Sequence, residues 1–174
     1  MKIAITGKMC SGKSSIANMI MRLDNTYQIY SYGQKIKDIA VDLFNMKNKD
    51  RSLIINIAQQ MKNIDENIWV NYLMKQLIGK KNCIIDDLRF QNELDMLDNN
   101  WYIIRLHISK QGQLNRINKI YNNADDHIQH INHISENCNN LNFDNRVNII
   151  DINTEKESID EIKHKLFLLL IKNK

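Results

Sequence analysis

One stretch constrains this chain more than any other: Gly7-Lys8-Met9-Cys10-Ser11-Gly12-Lys13-Ser14, a complete G-x-x-x-x-G-K-[S/T] string. Before it, Lys2-Ile3-Ala4-Ile5-Thr6 reads as a short buried strand; after it, Ser15 to Leu23 carries the apolar spacing of a helix at Ile16, Ile20 and Leu23. Strand, glycine-bearing turn and helix together make a phosphate cradle. Gly7 and Gly12 let the backbone turn tightly enough for successive N–H groups to point inward, and the helix offers its positive end to the anion. The predicted phosphate contacts run Gly7, Lys8, Met9, Cys10, Ser11, Gly12, Lys13, Ser14 and Ser15. Lys13 is expected to reach the β- and γ-phosphates and the Ser14 hydroxyl to hold Mg²⁺. The chain is thus expected to bind a nucleoside triphosphate.

The rest of the composition narrows what such a site is attached to. At 174 residues there is room for one domain with a proper core and not comfortably for two. Mean hydropathy is −0.46, and the longest apolar run, Leu166 to Ile171, ends a charged helix and is far short of the ~20 residues of a membrane span. Met1-Lys2 leads directly into the first strand without the pattern of a signal peptide, so a cytoplasmic location is expected, that of the host if the source is viral. Cys10, Cys83 and Cys138 stand at unrelated spacings that suggest neither a disulfide framework nor a Cys-x-x-Cys metal site. The net charge of +4 comes from interspersed signs, which suits an anionic small substrate; no basic arm marks a nucleic-acid partner, and none is expected. Abundant Asn, Ile and Lys with no proline point to an AT-rich coding genome.

No linker or repeat divides the chain, which reads as one domain over residues 1–174. Tyr27 to Tyr30 is a plausible second strand. A helix follows with Ile36, Ile39, Ala40, Leu43 and Phe44 on one face, then one with Ile54, Ile57, Ala58 and Met61, then one entered at Asp65 with Trp69, Tyr72, Leu73 and Leu77 inward and Gly79 as its stop. This helical block, about 34–79, is a place to hold a second substrate. Asn82-Cys83-Ile84-Ile85-Asp86-Asp87 reads as a strand ending in acid, which in a parallel sheet brings both carboxylates to the ligand edge beside the phosphate loop. A short helix (Asn92 to Asp98), a strand (Trp101 to His107) and a helix including Leu114 to Tyr121 come next. The last unit is a strand at 147–152 and a helix from Ser158, opened by the capping box Ser158-Ile159-Asp160-Glu161 and burying Ile159, Ile162, Leu166, Leu169 and Leu170. The predicted fold is α/β: a P-loop NTPase fold with a parallel sheet of about five strands and helices on both faces.

The pattern speaks against a GTP-operated switch, since no glycine has Asp three residues before it and neither the Asn-Lys pair ending at Lys49 nor that ending at Lys119 continues as Asn-Lys-x-Asp. What remains includes phosphoryl transfer to a small acceptor. Here the sequence resembles the deoxynucleoside monophosphate kinases of bacteriophages and large DNA viruses, within the P-loop nucleotide kinases. The stretches that carry the resemblance are the phosphate loop; Tyr32-Gly33-Gln34-Lys35-Ile36-Lys37; Asp65 with Ile68-Trp69-Val70; Ile84-Ile85-Asp86-Asp87-Leu88-Arg89-Phe90-Gln91-Asn92-Glu93; and His133-Ile134-Ser135-Glu136. Gln91 and Ile134 stand where that family often has proline.

The resemblance implies transfer of the ATP γ-phosphoryl group to a deoxynucleoside monophosphate, with ATP and Mg²⁺ as cofactors. Lys13, Asp87 and Arg89 are the implied catalytic residues: Lys13 steadies the transferred charge, Arg89 grips the acceptor phosphate with its guanidinium fork, and Asp87 orients the acceptor or its sugar. Ser14 and Asp86 are implied at the metal, Asp86 through water. Lys35, Lys37 and Arg51 lie in the acceptor block, though each alone is more often a solvated surface charge. Trp69 reads either as a stacking surface for a base or as a core anchor. A lid-like segment at about 109–140 offers Arg116 and Lys119. A homodimer is among the assemblies such kinases adopt. His127, His130 and His133 have helical spacing, with Cys138 or Asp126 as a further zinc donor, against the plainer reading of a polar segment. Two rival functions stay open: a P-loop kinase for another small acceptor, such as a nucleoside or dephospho-coenzyme A, and a non-catalytic nucleotide-binding module.

Overall fold

The computed structural model describes residues 1–131 and 140–172. In chain order the elements are β1 (Lys2–Gly7), α1 (Lys13–Leu23), β2 (Gln28–Tyr30), α2 (Gln34–Phe44), α3 (Arg51–Ile64), α4 (Ile68–Leu77), β3 (Cys83–Leu88), α5 (Gln91–Asp95), β4 (Trp101–His107), α6 (Lys110–Ile120), α7 (Ala124–Ile128), β5 (Ile149–Asn153) and α8 (Ile159–Ile171). The strands form one five-stranded sheet in the order β2-β3-β1-β4-β5. Every pairing is parallel, with Ile3 opposite both Ile84 and Tyr102 in the middle of the sheet.

The sheet is buried on both faces, so its central strands are continuous apolar runs, as parallel strands require. Successive β1 side chains divide between the two faces. Ile3 and Ile5 pack with Ile84, Ile104 and Ile152 against Ile16 and Ile20 of α1 and Ile162, Leu166, Leu169 and Leu170 of α8. Ala4 turns the other way with Ile85, Leu88 and Ile103, against Val70, Leu73 and Leu77 of α4 and Leu94 of α5. A third cluster, Ile36, Ala40, Ile57 and Trp69, joins α2, α3 and α4 into the helical block. The α/β fold read from the sequence is the fold observed.

Three details of the helical faces differ from the periodic reading. Leu43 and Phe44 are 73% and 55% exposed, because the packing that holds Ile36 and Ala40 does not extend to the last turn of α2. Ile159 is 61% exposed at the first position of α8, ahead of the turn that meets the sheet. Tyr72, expected inward, lies 37% exposed on α4 while Trp69 and Leu73 on either side of it face the core. The Ser158–Glu161 capping box is present, with Ser158 N–H donating to Glu161 Oε2 at 2.7 Å and Glu161 N–H to Ser158 Oγ at 3.3 Å.

β1 is the pivot of the topology. The chain leaves it toward β2 on one side and later crosses to β4 and β5 on the other, so the turn after β1 stands at the switch point, where open α/β sheets bind ligands.

Candidate active site

The β1–α1 turn has the backbone its residues were expected to take. Gly7 has φ +153°, and a Cβ there would approach Ser11 Oγ to 2.6 Å and Leu106 Cβ to 2.9 Å, so only glycine fits. Gly12 has φ +102°, and Cys10 adopts the left-handed region at φ +60°. Gly12 is also the N-cap of α1, and no side chain caps that end. The 11-residue helix α1 therefore opens onto the turn with no side-chain cap at its N-terminus, which is the arrangement that receives a phosphate. Lys13, 9% exposed, folds its ammonium back over the turn and donates to Gly7 O at 2.5 Å and Lys8 O at 2.8 Å. Met9 and Ser11 are buried, Lys8 and Cys10 half-buried, and Ser14 and Ser15 exposed on the first turn of α1.

β3 runs alongside β1 and delivers its two acids to the same edge. The Ser14 hydroxyl donates to Asp86 Oδ2 at 3.3 Å. Burial first, and the adjacent Asp87 charge second, raise the Asp86 carboxyl above its ordinary range, while Ser14, Lys37 and Lys13 pull it back. A hydroxyl and a carboxylate side by side form an oxygen donor set of the kind Mg²⁺ takes, and a cation would relieve the cost of ionising Asp86 there. The residues present fit that ion. Asp87 is engaged differently: it accepts from Ser31 Oγ at 2.6 Å, Tyr32 N–H at 2.9 Å and Gly33 N–H at 2.9 Å. Both of its oxygens thus brace the turn that starts α2.

Cations converge from the helical block. Loss of hydration first, and then the charges of Arg51, Lys37 and Arg89, hold the Lys49 ammonium below the usual lysine range. Arg51, Lys37 and Arg89, whose charges act on it, come from three different segments. Arg51, in the first turn of α3, also reaches the phosphate loop, donating through Nη1 to Met9 Sδ at 3.0 Å. Lys35 and Lys37 line a cleft of about 270 Å³ with Gln34, Tyr72, Gln76 and Asp86. Arg89 extends from the end of β3, half-buried, with its own N–H bonded to Glu93 Oε2 at 2.7 Å.

Two of the expected residues have partners within the protein. Trp69 is 4% exposed inside the helical block and donates its indole N–H to Ala58 O at 3.1 Å, so it is a core anchor joining α4 to α3 and presents no face to a base. Arg116 bonds Cys10 O at 3.1 Å, Thr154 Oγ1 at 3.0 Å and Thr154 O at 2.5 Å. It fastens α6 to the tip of the phosphate loop and to the turn after β5. His127 stacks on Tyr121 with ring centroids 3.6 Å apart, whereas His130 Nε2 lies 3.3 Å from Ser52 Oγ on α3. His133, Ser135, Glu136 and Cys138 lie outside the described residues, as does the side chain of Asp126.

Sequence reasoning missed Lys49, Thr154 and the bracing roles of Ser31 and Glu93. For Glu93 a signal existed, since it stands three residues after the N-cap Phe90 as in a capping box, but phenylalanine in place of Ser or Thr conceals the pattern.

A parallel sheet with a phosphate loop at its switch point, a lysine over the loop and a serine–aspartate pair beside it defines a P-loop nucleotide-binding protein of the fold shared by P-loop kinases. The profile of the AAA domain family matches residues 3–130, and the chain belongs to that family. No curated protein matches the sequence. Among solved structures, it is similar to a gluconokinase from Sinorhizobium meliloti 1021 (14% identity, TM-score 0.60, covering 98% of this chain and 91% of that one). It is also similar to the deoxyadenosine kinase of M. mycoides with the products dCMP and a flexible dCDP bound (19% identity, TM-score 0.60, 99% and 98% covered). A third is the shikimate kinase of Aquifex aeolicus (17% identity, TM-score 0.53, 99% and 98% covered). At these identities the likeness is one of fold. No helix among the described residues is long and apolar enough to cross a membrane.

Proposed function

We propose that this chain is an ATP- and Mg²⁺-dependent deoxynucleoside monophosphate kinase of the type found in phages and large DNA viruses. The observation that carries the reading is the set of basic side chains around the phosphate loop: Arg51 of α3 donates to Met9 Sδ in the loop at 3.0 Å, and Lys35 and Lys37 of α2 line the cleft that also holds Asp86. Like charges are costly to gather, and this arrangement suits an acceptor that brings its own phosphate. In this reading the loop from Gly7 to Ser15 holds the ATP phosphates, Lys13 follows the γ-phosphoryl charge as it moves, and Ser14 and Asp86 hold the metal, which would neutralise the phosphate oxygens. Arg89 grips the acceptor phosphate, and Lys35 and Lys37 close its other side. Asp87 acts by holding the 31–33 turn that aims α2. The block at 34–79 covers the acceptor, and α6 with the segment after it, at about 109–140, serves as the lid.

A second reading follows from the similar structures, which are named for a deoxynucleoside and for other small acceptors: a kinase whose acceptor carries no phosphate. The two are separated by coupled ADP release from ATP·Mg²⁺ with deoxynucleoside monophosphates, deoxynucleosides and dephospho-coenzyme A offered separately. Turnover with a monophosphate is expected. Lys13→Ala should lower kcat by at least about 10³ in a protein that still folds, because the charge it supplies matters most in the transition state. Full activity in that variant, or turnover confined to the unphosphorylated acceptors, would overturn the reading.

A further inference from the structure

Glu93 is an ionisable side chain in an expensive place. It is 4% exposed, in the first turn of a short helix packed on the sheet, and it is neither a metal donor nor at the cleft. Its Oε2 accepts two backbone bonds, from Arg89 N–H at 2.7 Å and from Phe90 N–H at 3.0 Å. Capping α5 explains the second, since Phe90 begins that helix. It does not explain the first and shorter one, which belongs to the residue before the cap and holds the backbone from which the Arg89 side chain departs.

The surrounding contacts all secure the same turn. The Lys62 ammonium lies 3.8 Å from the centre of the Phe90 ring, tying the turn to α3. Asn92 Nδ2 donates to Asn67 Oδ1 at 2.9 Å, tying it to the start of α4. The Tyr32 hydroxyl donates to Glu93 O at 3.4 Å, linking it to the 31–33 turn that Asp87 holds. The chain from Asp86 to Phe90 is thus fastened at Asp86, Asp87, Arg89 and Phe90.

We propose that Glu93 is a positioning residue for phosphoryl transfer, its carboxyl fixing the direction in which the Arg89 side chain leaves the end of β3 toward the acceptor. The inference rests on the assignment of Arg89 to the acceptor phosphate made above. A guanidinium fork bonds a phosphate through two parallel N–H groups, so a tilt of the backbone that carries it disrupts both bonds together, and a displacement of about 1 Å is enough to slow transfer up to about a hundredfold.

The test compares wild type with Glu93→Ala, Glu93→Gln and Glu93→Asp by steady-state kinetics and by hydrogen exchange at the Arg89 and Phe90 amides. Glu93→Ala is expected to raise the acceptor KM about tenfold or more while the ATP KM stays within about twofold, and to accelerate exchange at both amides. Glu93→Gln keeps a carbonyl that accepts both N–H groups and should restore both readouts. Glu93→Asp keeps the carboxyl but withdraws the oxygen by one methylene, and should resemble Ala, which covers the case in which Ala fails to fold. Faster exchange with acceptor and ATP KM moving together would make Glu93 a helix cap only and overturn the inference. Unchanged exchange at 89 and 90 would overturn it whatever the kinetics. A wild-type protein silent on every acceptor would instead overturn the functional reading on which it rests.

Discussion

At the scale of single residues, Glu93 also makes a prediction about stability. Burial, with the Asp87 charge added, pushes its carboxyl up to about 8 from the usual 4.5, against the pull of the Arg89 and Phe90 N–H bonds and the Lys62 charge. Between those values the folded protein keeps a proton that the unfolded chain releases, so this group makes stability fall as pH rises through the window. The slope is at most about 1.4 kcal/mol per pH unit for one proton, and it vanishes above and below. Glu93→Gln cannot release that proton. Denaturant unfolding from about pH 5 to about pH 9 should therefore show the variant gaining on wild type as pH rises, with the other titrating groups cancelling in the difference. A constant difference across the range would mean that Glu93 is already ionised at low pH. The same residue shows why sites are harder to read than folds. A glutamate in a polar-looking turn gives no sign of burial, and the two N–H groups it serves belong to the backbone, which sequence patterns do not display.

At the scale of elements, the helical block is held by Trp69, whose ring fills the junction of α2, α3 and α4 and whose N–H donates to Ala58 O. Trp69→Ala should lose about 3–5 kcal/mol of stability through the cavity alone. Trp69→Phe removes chiefly the indole hydrogen bond, and because Ala58 lies within α3 its carbonyl keeps its helical partner, so the cost should be about 0.5–1.5 kcal/mol. Urea unfolding measures both. Because the ring faces the core, the Trp69→Phe protein should keep its acceptor KM within about twofold, whereas a base-stacking tryptophan would show the loss in KM. The sequence left these two roles open, since an aromatic residue on an amphipathic helix has the same spacing in either case. The exposures of Trp69 and Tyr72, 4% and 37%, decide between them, and they follow from how α4 is rotated against the sheet rather than from its own periodicity.

At the scale of the whole molecule, Arg116 joins three parts that are distant in sequence: α6, the tip of the phosphate loop at Cys10, and Thr154 after β5. Arg116→Lys keeps the charge but cannot hold both partners, because an ammonium lacks the planar fork. The bonds of a charged donor contribute about 1.5–3 kcal/mol each. Loss of the loop's outer support should therefore raise the ATP KM about tenfold or more, with the acceptor KM changed less; equal changes in both would show that Arg116 contacts substrate instead. What the sequence determined by itself is the alternation of strand and helix, the phosphate loop, and the arrival of Asp86 and Asp87 at its edge, because each depends on local backbone geometry and on periodic burial. The tertiary structure alone decided that Asp87 braces a turn, that Arg51 reaches the phosphate loop at Met9, and that Arg116 turns to the loop. Those facts depend on which segments the β2-β3-β1-β4-β5 order brings together, and charge and hydrogen bonding act through space without regard to distance along the chain.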